Sequence, residues 1–202
     1  MGRTSDARER LIKAGQTLLG HKSYGTVGVA DICTAAGVPK GSFYYFFPSK
    51  QDLALAVIDR HWDEQRAQWS SILTAPTPIA QRIHDLFLAT EKVQENALAE
   101  TGSVQGCLFG NLSLELSSAE PDARARLQKI FDAQVGMLEQ ALGDENSHYD
   151  PRGAALRDVA EAVVAQMEGL VLFAKLFNDP ARVAKHWAVT ARTLGLDAAP
   201  VA

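Results

Sequence analysis

Two stretches of the chain hold side chains that could do chemistry. The first, Lys40-Gly41-Ser42-Phe43-Tyr44-Tyr45-Phe46, puts one cation, three hydroxyl tips and two phenyl rings within seven residues. On a helix Phe43 and Phe46 recur at i, i+3 and can pack inward, leaving Lys40, Ser42, Tyr44 and Tyr45 on the outer side. Lysine and tyrosine tips reach phosphates, and Gly41 lets backbone approach a base edge or a methyl group. A small helical cap with a surface aromatic cluster would have the same composition. The second stretch is Gly106-Cys107-Leu108-Phe109-Gly110-Asn111. A thiol in a first helical turn feels the positive end of the backbone dipole, which raises its thiolate fraction and suits it to sensing electrophiles or oxidants. The plainer alternative is a small buried hydrophobe, which is how Cys33 is read.

Other chemistries find no support. His21, His61, His84, His148 and His186 have no metal-ligand spacing with cysteines or carboxylates. There is no glycine-rich phosphate cradle and no nucleophile elbow. No enzyme, metal or cofactor is expected. An enzyme using Cys107 as nucleophile would lack an evident base partner.

The elements that must position these residues are helices, since period-2 alternation is absent. The periodicity predicts a helix over Ser5–Leu19 stopped by Gly20, a second over Val29–Ala36 between Gly28 and Gly37, and a third from Pro39 or Lys40 to Phe47. Ser49 caps a long fourth helix, and Ala75–Pro78 breaks the chain. Ile79–Leu98 and Cys107–Leu116 follow, with a loop at Gly102–Gly106. Glu120-Pro121, Asp150-Pro151 and Asp179-Pro180 repeat one start signal, an acidic residue before Pro at N1, and predict helices over Pro121–Leu142, Pro151–Phe177 and Pro180–Leu194. That makes nine helices and an all-α fold. The first three are short, and the tight Gly37-Val38 turn between the second and third matches a helix-turn-helix, which presents one short helix to the DNA major groove.

Composition agrees. The chain has 202 residues, 47% of them apolar and 22% charged, as in globular proteins. Met1–Gly20 is charged and lacks an apolar core, so no secretory leader is expected, and no apolar run approaches a membrane span. Two cysteines cannot build a disulfide framework, and the expected setting is cytoplasmic. Charge is uneven: residues 1–50 hold seven cations and three anions, net +4, against −8 for residues 51–202 within the whole-chain −4. A basic head on an acidic body suits a polyanion partner for the head alone.

The run Ile32-Cys33-Thr34-Ala35-Ala36-Gly37-Val38-Pro39-Lys40-Gly41-Ser42-Phe43-Tyr44-Tyr45-Phe46, followed by Pro48-Ser49-Lys50-Gln51-Asp52-Leu53, resembles the DNA-binding domain of TetR-family transcriptional regulators over roughly residues 7–55. The resemblance implies DNA contacts by Lys40, Gly41, Ser42, Tyr44 and Tyr45, and a phosphate contact by Lys50. Tyr45 stands where the family commonly has His. Val27 and Gly28 stand where a Thr or Ser usually precedes the second helix, so Thr26 is expected to supply the hydroxyl. It also implies a helix-turn-helix domain over residues 1–50 and a ligand-sensing and dimerisation domain over 51–202.

The Pro151–Phe177 helix is apolar around much of its circumference and needs covering on more than one side. With the last helix it could build a four-helix interface of a homodimer, from Val163, Met167, Val183, Trp187, Ala191 and Leu194. A monomer burying both helices is the alternative. The stretch around Cys107 resembles one subgroup of the family, the NemR-like repressors, which respond to electrophiles through a cysteine. Lys175 could stabilise a thiolate if it faces inward. A small apolar ligand would instead meet Trp62, Trp69, Phe87, Phe109, Asn111, Phe131, Met137 and Phe173. The expected function is a transcriptional regulator, acting as a homodimeric repressor, that binds a near-palindromic double-stranded operator and is released by a small-molecule or electrophile inducer. The rival is a small-molecule binding protein without operator binding.

Overall fold

Prolines and glycines set most helix ends. In the computed structural model, which describes residues 2–196 other than Asn146, His148 and Arg152, the described residues form nine α-helices and one 3₁₀ turn. His148 thus lies outside the described residues. The helices are α1 (Gly2–His21), α2 (Val29–Ala36), α3 (Lys40–Phe46), α4 (Lys50–Leu73), α5 (Ile79–Thr101), α6 (Leu108–Leu116), α7 (Pro121–Leu142), α8 (Leu156–Phe177) and α9 (Trp187–Thr193). No helix among the described residues is long and apolar enough to cross a membrane.

Among the helix ends that depart from the sequence reading, three have a clear backbone cause. Helix α1 runs through Gly20, because the Lys22 N–H still reaches Leu18 O at 2.9 Å. Helix α8 starts at Leu156 rather than Pro151: Gly153 adopts φ +89°, which no right-handed helix accepts, so Pro151–Ala154 closes as a turn. The last helix is interrupted. Pro180 opens a 3₁₀ turn of three residues, and bonds such as Val183 N–H to Pro180 O and Trp187 N–H to Ala184 O span three residues instead of four.

The chain packs as two compact units, one of residues up to Gln65 with Leu108–Lys129, the other of Arg66–Cys107 with residues from Ile130 onward. Helix α4 therefore contributes to both, and the functional division expected near residue 50 falls at its first turn. In the first unit Leu11, Ile32, Phe43, Leu53, Val57 and Ile58 are fully buried. Gly15 lets α1 approach α4 closely, since a Cβ there would lie 3.0 Å from Val57 Cγ2. In the second unit Ile83, Phe87, Leu138, Ala160, Val163 and Val183 form the centre of the core. Buried Arg82 is held by carbonyls of Leu73 and Thr77 at 2.9 and 2.8 Å and by Asp144 at 3.3 Å.

Phe43 and Tyr45 lie two residues apart on one short helix with opposite fates, 0% and 76% exposed. Phe43→Ala is expected to cost about 3–5 kcal/mol in urea denaturation, against less than about 0.5 kcal/mol for Tyr45→Ala. Equal costs for the two would show that α3 is not anchored through Phe43.

Candidate functional site

The reading unit is assembled by backbone caps and one cation. Gly28, at the start of α2, has no side chain to cap the helix, but its N–H donates to Asp31 Oδ2 at 2.9 Å. Gly37 closes α2 at φ +60°, the left-handed conformation a glycine adopts without strain, and its N–H returns to the carbonyls of Cys33 and Thr34. Arg10 of α1 donates to the carbonyls of Ala36 (3.0 Å) and Gly37 (3.2 Å), placing a guanidinium at the negative end of the α2 dipole. The turn into α3 is thereby held from both sides.

On α3 the buried faces are Phe43 and Phe47, whose ring centroids lie 5.9 Å apart, with Phe46 half-buried. Phe47, just past the helix, takes the inward place expected of Phe46. Lys40, Gly41, Tyr44 and Tyr45 are exposed and Ser42 is half-buried, and a Cβ on Gly41 would meet nothing within 4 Å. Tyr44 rests edge-on against Phe43 and Tyr45 against Phe46, at 5.3 and 4.9 Å, so the phenols are oriented yet free at their tips. Thr26 is exposed, its hydroxyl donating to Ser23 O at 3.0 Å. Cys33 is buried, which pushes its thiol pKa up, with Lys40 pulling the other way.

Lys50 is corrected. Its ammonium donates to Tyr24 O at 2.9 Å and Val27 O at 3.1 Å and stands 4.0 Å from the Tyr24 ring centroid. Two of its three protons are committed to the loop before α2.

Around Cys107 the expected residues separate. Cys107 is half-buried and directly precedes α6 instead of lying in its first turn. The loop leading to it is pinned by buried Gln94, which bonds both the N–H (3.0 Å) and the carbonyl (3.3 Å) of Gly106, and by Asn178, which accepts from Val104 N–H at 2.8 Å. The thiol hydrogen-bonds Glu168 of α8, a residue the sequence reading missed. Burial pushes the Glu168 carboxyl above its ordinary pKa, and the bond to Cys107 opposes that. One carboxylate inside the apolar run Val163–Phe173 was the available clue. Trp69, Phe87, Phe131 and Met137 join the core of the same unit as Cys107. Phe173 and Lys175 do not, since both are exposed. Trp62, Phe109 and Asn111 belong to the first unit, where buried Phe109 meets His61 and Trp62 at 5.0 and 6.4 Å.

The residues expected to cross a twofold interface lie mostly inward. Val163, Met167, Val183, Trp187 and Ala191 are buried within the chain's own core, and Leu194 is packed partly against it. Trp187 stacks on His84 at 4.8 Å and touches Phe87 at 5.6 Å. The apolar side chains left uncovered on these helices are Leu172, Phe173, Leu176, Phe177 and Val189, each more than half exposed.

Comparison with known proteins adds the following. The family model described as "Bacterial regulatory proteins, tetR family" matches residues 11–57, and that described as "Tetracyclin repressor-like, C-terminal domain" matches residues 81–190. The chain is 35% identical to the transcriptional regulator AcuR of Cereibacter sphaeroides over 182 residues, covering 86% of this chain and 78% of AcuR. It is 30% identical to the HTH-type transcriptional repressor NemR of Escherichia coli, covering 85% of each. The crystal structure of reduced E. coli NemR superposes with a TM-score of 0.78 at 28% identity, over 93% of this chain and 97% of that one.

One titratable group ties α1 to α4. Gln16 donates through Nε2 to His61 Nδ1 (3.2 Å) and Glu64 Oε2 (3.1 Å), which requires a neutral imidazole accepting at Nδ1. Burial lowers the His61 pKa and Glu64 partly opposes this. The unfolded chain therefore binds the proton first, so stability is complete above about pH 6.5 and declines as pH falls toward the lowered folded value. His84, lowered for the same reason, has the same sign. His61→Gln is expected to reduce the loss of stability between pH 7.5 and 5.5 in urea melts. An unchanged difference would show that His61 titrates alike folded and unfolded.

Proposed function

Because the chain belongs to the tetR family of bacterial regulatory proteins and is a transcriptional regulator, we propose that it represses as a homodimer on a near-palindromic operator and is released by an inducer acting on its second unit. The observation that carries this reading is α3 itself: seven residues anchored by buried Phe43, with Lys40, Gly41, Tyr44 and Tyr45 presented outward. A single short helix gains little affinity alone. Two of them about 34–36 Å apart on a twofold axis would meet successive major grooves on one face of the duplex. Lys40, Thr26, Ser42 and the two phenols supply phosphate and base-edge contacts, and Gly41 the close backbone approach. The inducer acts by favouring a dimer whose reading helices are wrongly spaced.

The dimer is assigned to the uncovered face of α8 and α9. Ala162, Ala165 and Gly169 continue the stripe of Leu172, Phe173, Leu176 and Phe177 toward the start of α8, and Phe173 stacks on Phe177 at 6.2 Å. An apolar stripe of this extent marks an association surface. Phe173→Glu with Leu176→Glu is expected to give monomers in analytical ultracentrifugation, with operator affinity lost. Dimers surviving the double change would move the interface elsewhere.

For the inducer, the hydrogen bond between Cys107 and Glu168 favours an electrophile over a purely apolar ligand. A carboxylate beside the thiol can take its proton as the sulfur attacks. Gel shifts on DNA flanking its own gene test both parts. Tyr44→Ala with Tyr45→Ala should weaken binding by about 1–3 kcal/mol per lost contact. Electrophile treatment should release the wild type and leave Cys107→Ser bound. A wild type that binds no such DNA supports the rival, a small-molecule binding protein without an operator; equal behaviour of wild type and Cys107→Ser points to a noncovalent inducer.

A further inference from the structure

The segment from Lys22 to Gly28 joins α1 to α2 and has little regular structure of its own. A turn about Ser23 bonds its carbonyl to the N–H of Thr26 (3.1 Å) and Val27 (3.3 Å), and Val27 is plugged into the core at 1% exposure. The Thr26 hydroxyl adds a bond to Ser23 O at 3.0 Å and Gly28 N–H one to Asp31 at 2.9 Å, and further bonds come from two other helices. From α4, Lys50 Nζ bonds the carbonyls of Tyr24 and Val27 and lies against the Tyr24 ring. From α6, Glu115 Oε2 accepts from Gly25 N–H at 3.4 Å. Burial pushes the Tyr24 phenol pKa up, and Glu120, just beyond α6, adds to the rise.

We propose that Lys50 and Glu115 are positioning residues that clamp the Lys22–Gly28 segment between α4 and α6 and so set where the helix-turn-helix begins, with Lys50 acting on this loop and not on a phosphate. The proposal rests on the operator-binding reading above. An ammonium has three protons and no acceptor. With two on carbonyls at 2.9 and 3.1 Å and an aromatic face at 4.0 Å, most of its donor capacity is spent on the loop. The loop passes directly into Gly28, whose N–H is bonded to Asp31, so a shift of Val27 moves the first turn of α2. Helix α2 carries the shift to α3 through the Gly37 turn that Arg10 holds. Helix α6 begins immediately after Cys107 and ends at Leu116, one residue past Glu115, so the helix that starts at the sensor thiol finishes at this loop.

The test uses the full-length protein and the variants Lys50→Met, Glu115→Ala and Glu115→Gln. Amide exchange at Gly25, Thr26 and Val27 is followed by NMR in the absence of DNA, and operator affinity is then measured across a salt series. Lys50→Met keeps the stem but not the donors, and should speed exchange at Thr26 and Val27 by about fivefold or more. Its operator affinity should fall about tenfold while the slope of log K against log salt stays unchanged, because no phosphate contact is lost. A slope reduced by about 0.9 with unaltered exchange would make Lys50 a phosphate contact and overturn its assignment. Glu115→Ala should expose Gly25 to exchange and weaken binding, and Glu115→Gln, which retains an acceptor, should preserve protection. Tighter binding by both Glu115 variants would show simple relief of repulsion by DNA and remove Glu115 from the clamp. If the wild type binds no operator, that reading falls, and the exchange rates alone still decide whether the clamp exists.

Discussion

A helix of seven residues does not hold itself together in water, because nucleating it costs more than its few hydrogen bonds return. Everything this protein presents to DNA therefore depends on burying Phe43 and Phe47, which fixes the backbone of α3 while its neighbours stay outside. Position 43 is closed to solvent, positions 44 and 45 are open, and the edge-on contacts from Tyr44 to Phe43 and Tyr45 to Phe46 orient the open rings by means of the closed ones. Affinity for a groove needs side chains whose entropy is already reduced before contact, and these rings supply that at modest cost.

The same logic extends backward along the chain. Arg10, Asp31 and Lys50 each bond backbone groups that α2 and its flanking loops leave without helical partners. These are charged groups used on main chain, where a charge-assisted bond is stronger than a neutral one. A net-positive head does not mean that every cation faces the polyanion. Arg10 and Lys50 count in the charge balance of residues 1–50, yet both are engaged in holding the head's own shape.

The second unit solves a different problem. Helix α8 has more apolar surface than one core can cover, and the chain divides it. Val163, Met167 and Val171 go inward, while Leu172, Phe173, Leu176 and Phe177 remain outside with Phe173 and Phe177 stacked on each other. A sequence with apolar residues on both faces says that two coverings are needed. It does not say which face receives which, since Val163 and Phe173 are equally apolar, and the choice rests on where α5 and α9 lie. That is why Val183, Trp187 and Ala191, spaced well for an interface, are instead found around His84 and Phe87 in the core.

The amino-acid sequence by itself determined α2 and α3 almost to the residue, because Gly28, Gly37, Pro39 and Pro48 act locally, through backbone angles and missing donors. Helical spacing also placed Lys40, Tyr44 and Tyr45 outward and Phe43 inward, while the inward place expected of Phe46 went to Phe47. Tertiary structure decided what depends on contacts distant in sequence: Lys50 meets carbonyls 23 and 26 residues earlier, and Cys107 meets Glu168. Periodicity names the face of a helix, but only packing supplies the neighbour on that face, and with it the chemistry of a lysine or a thiol.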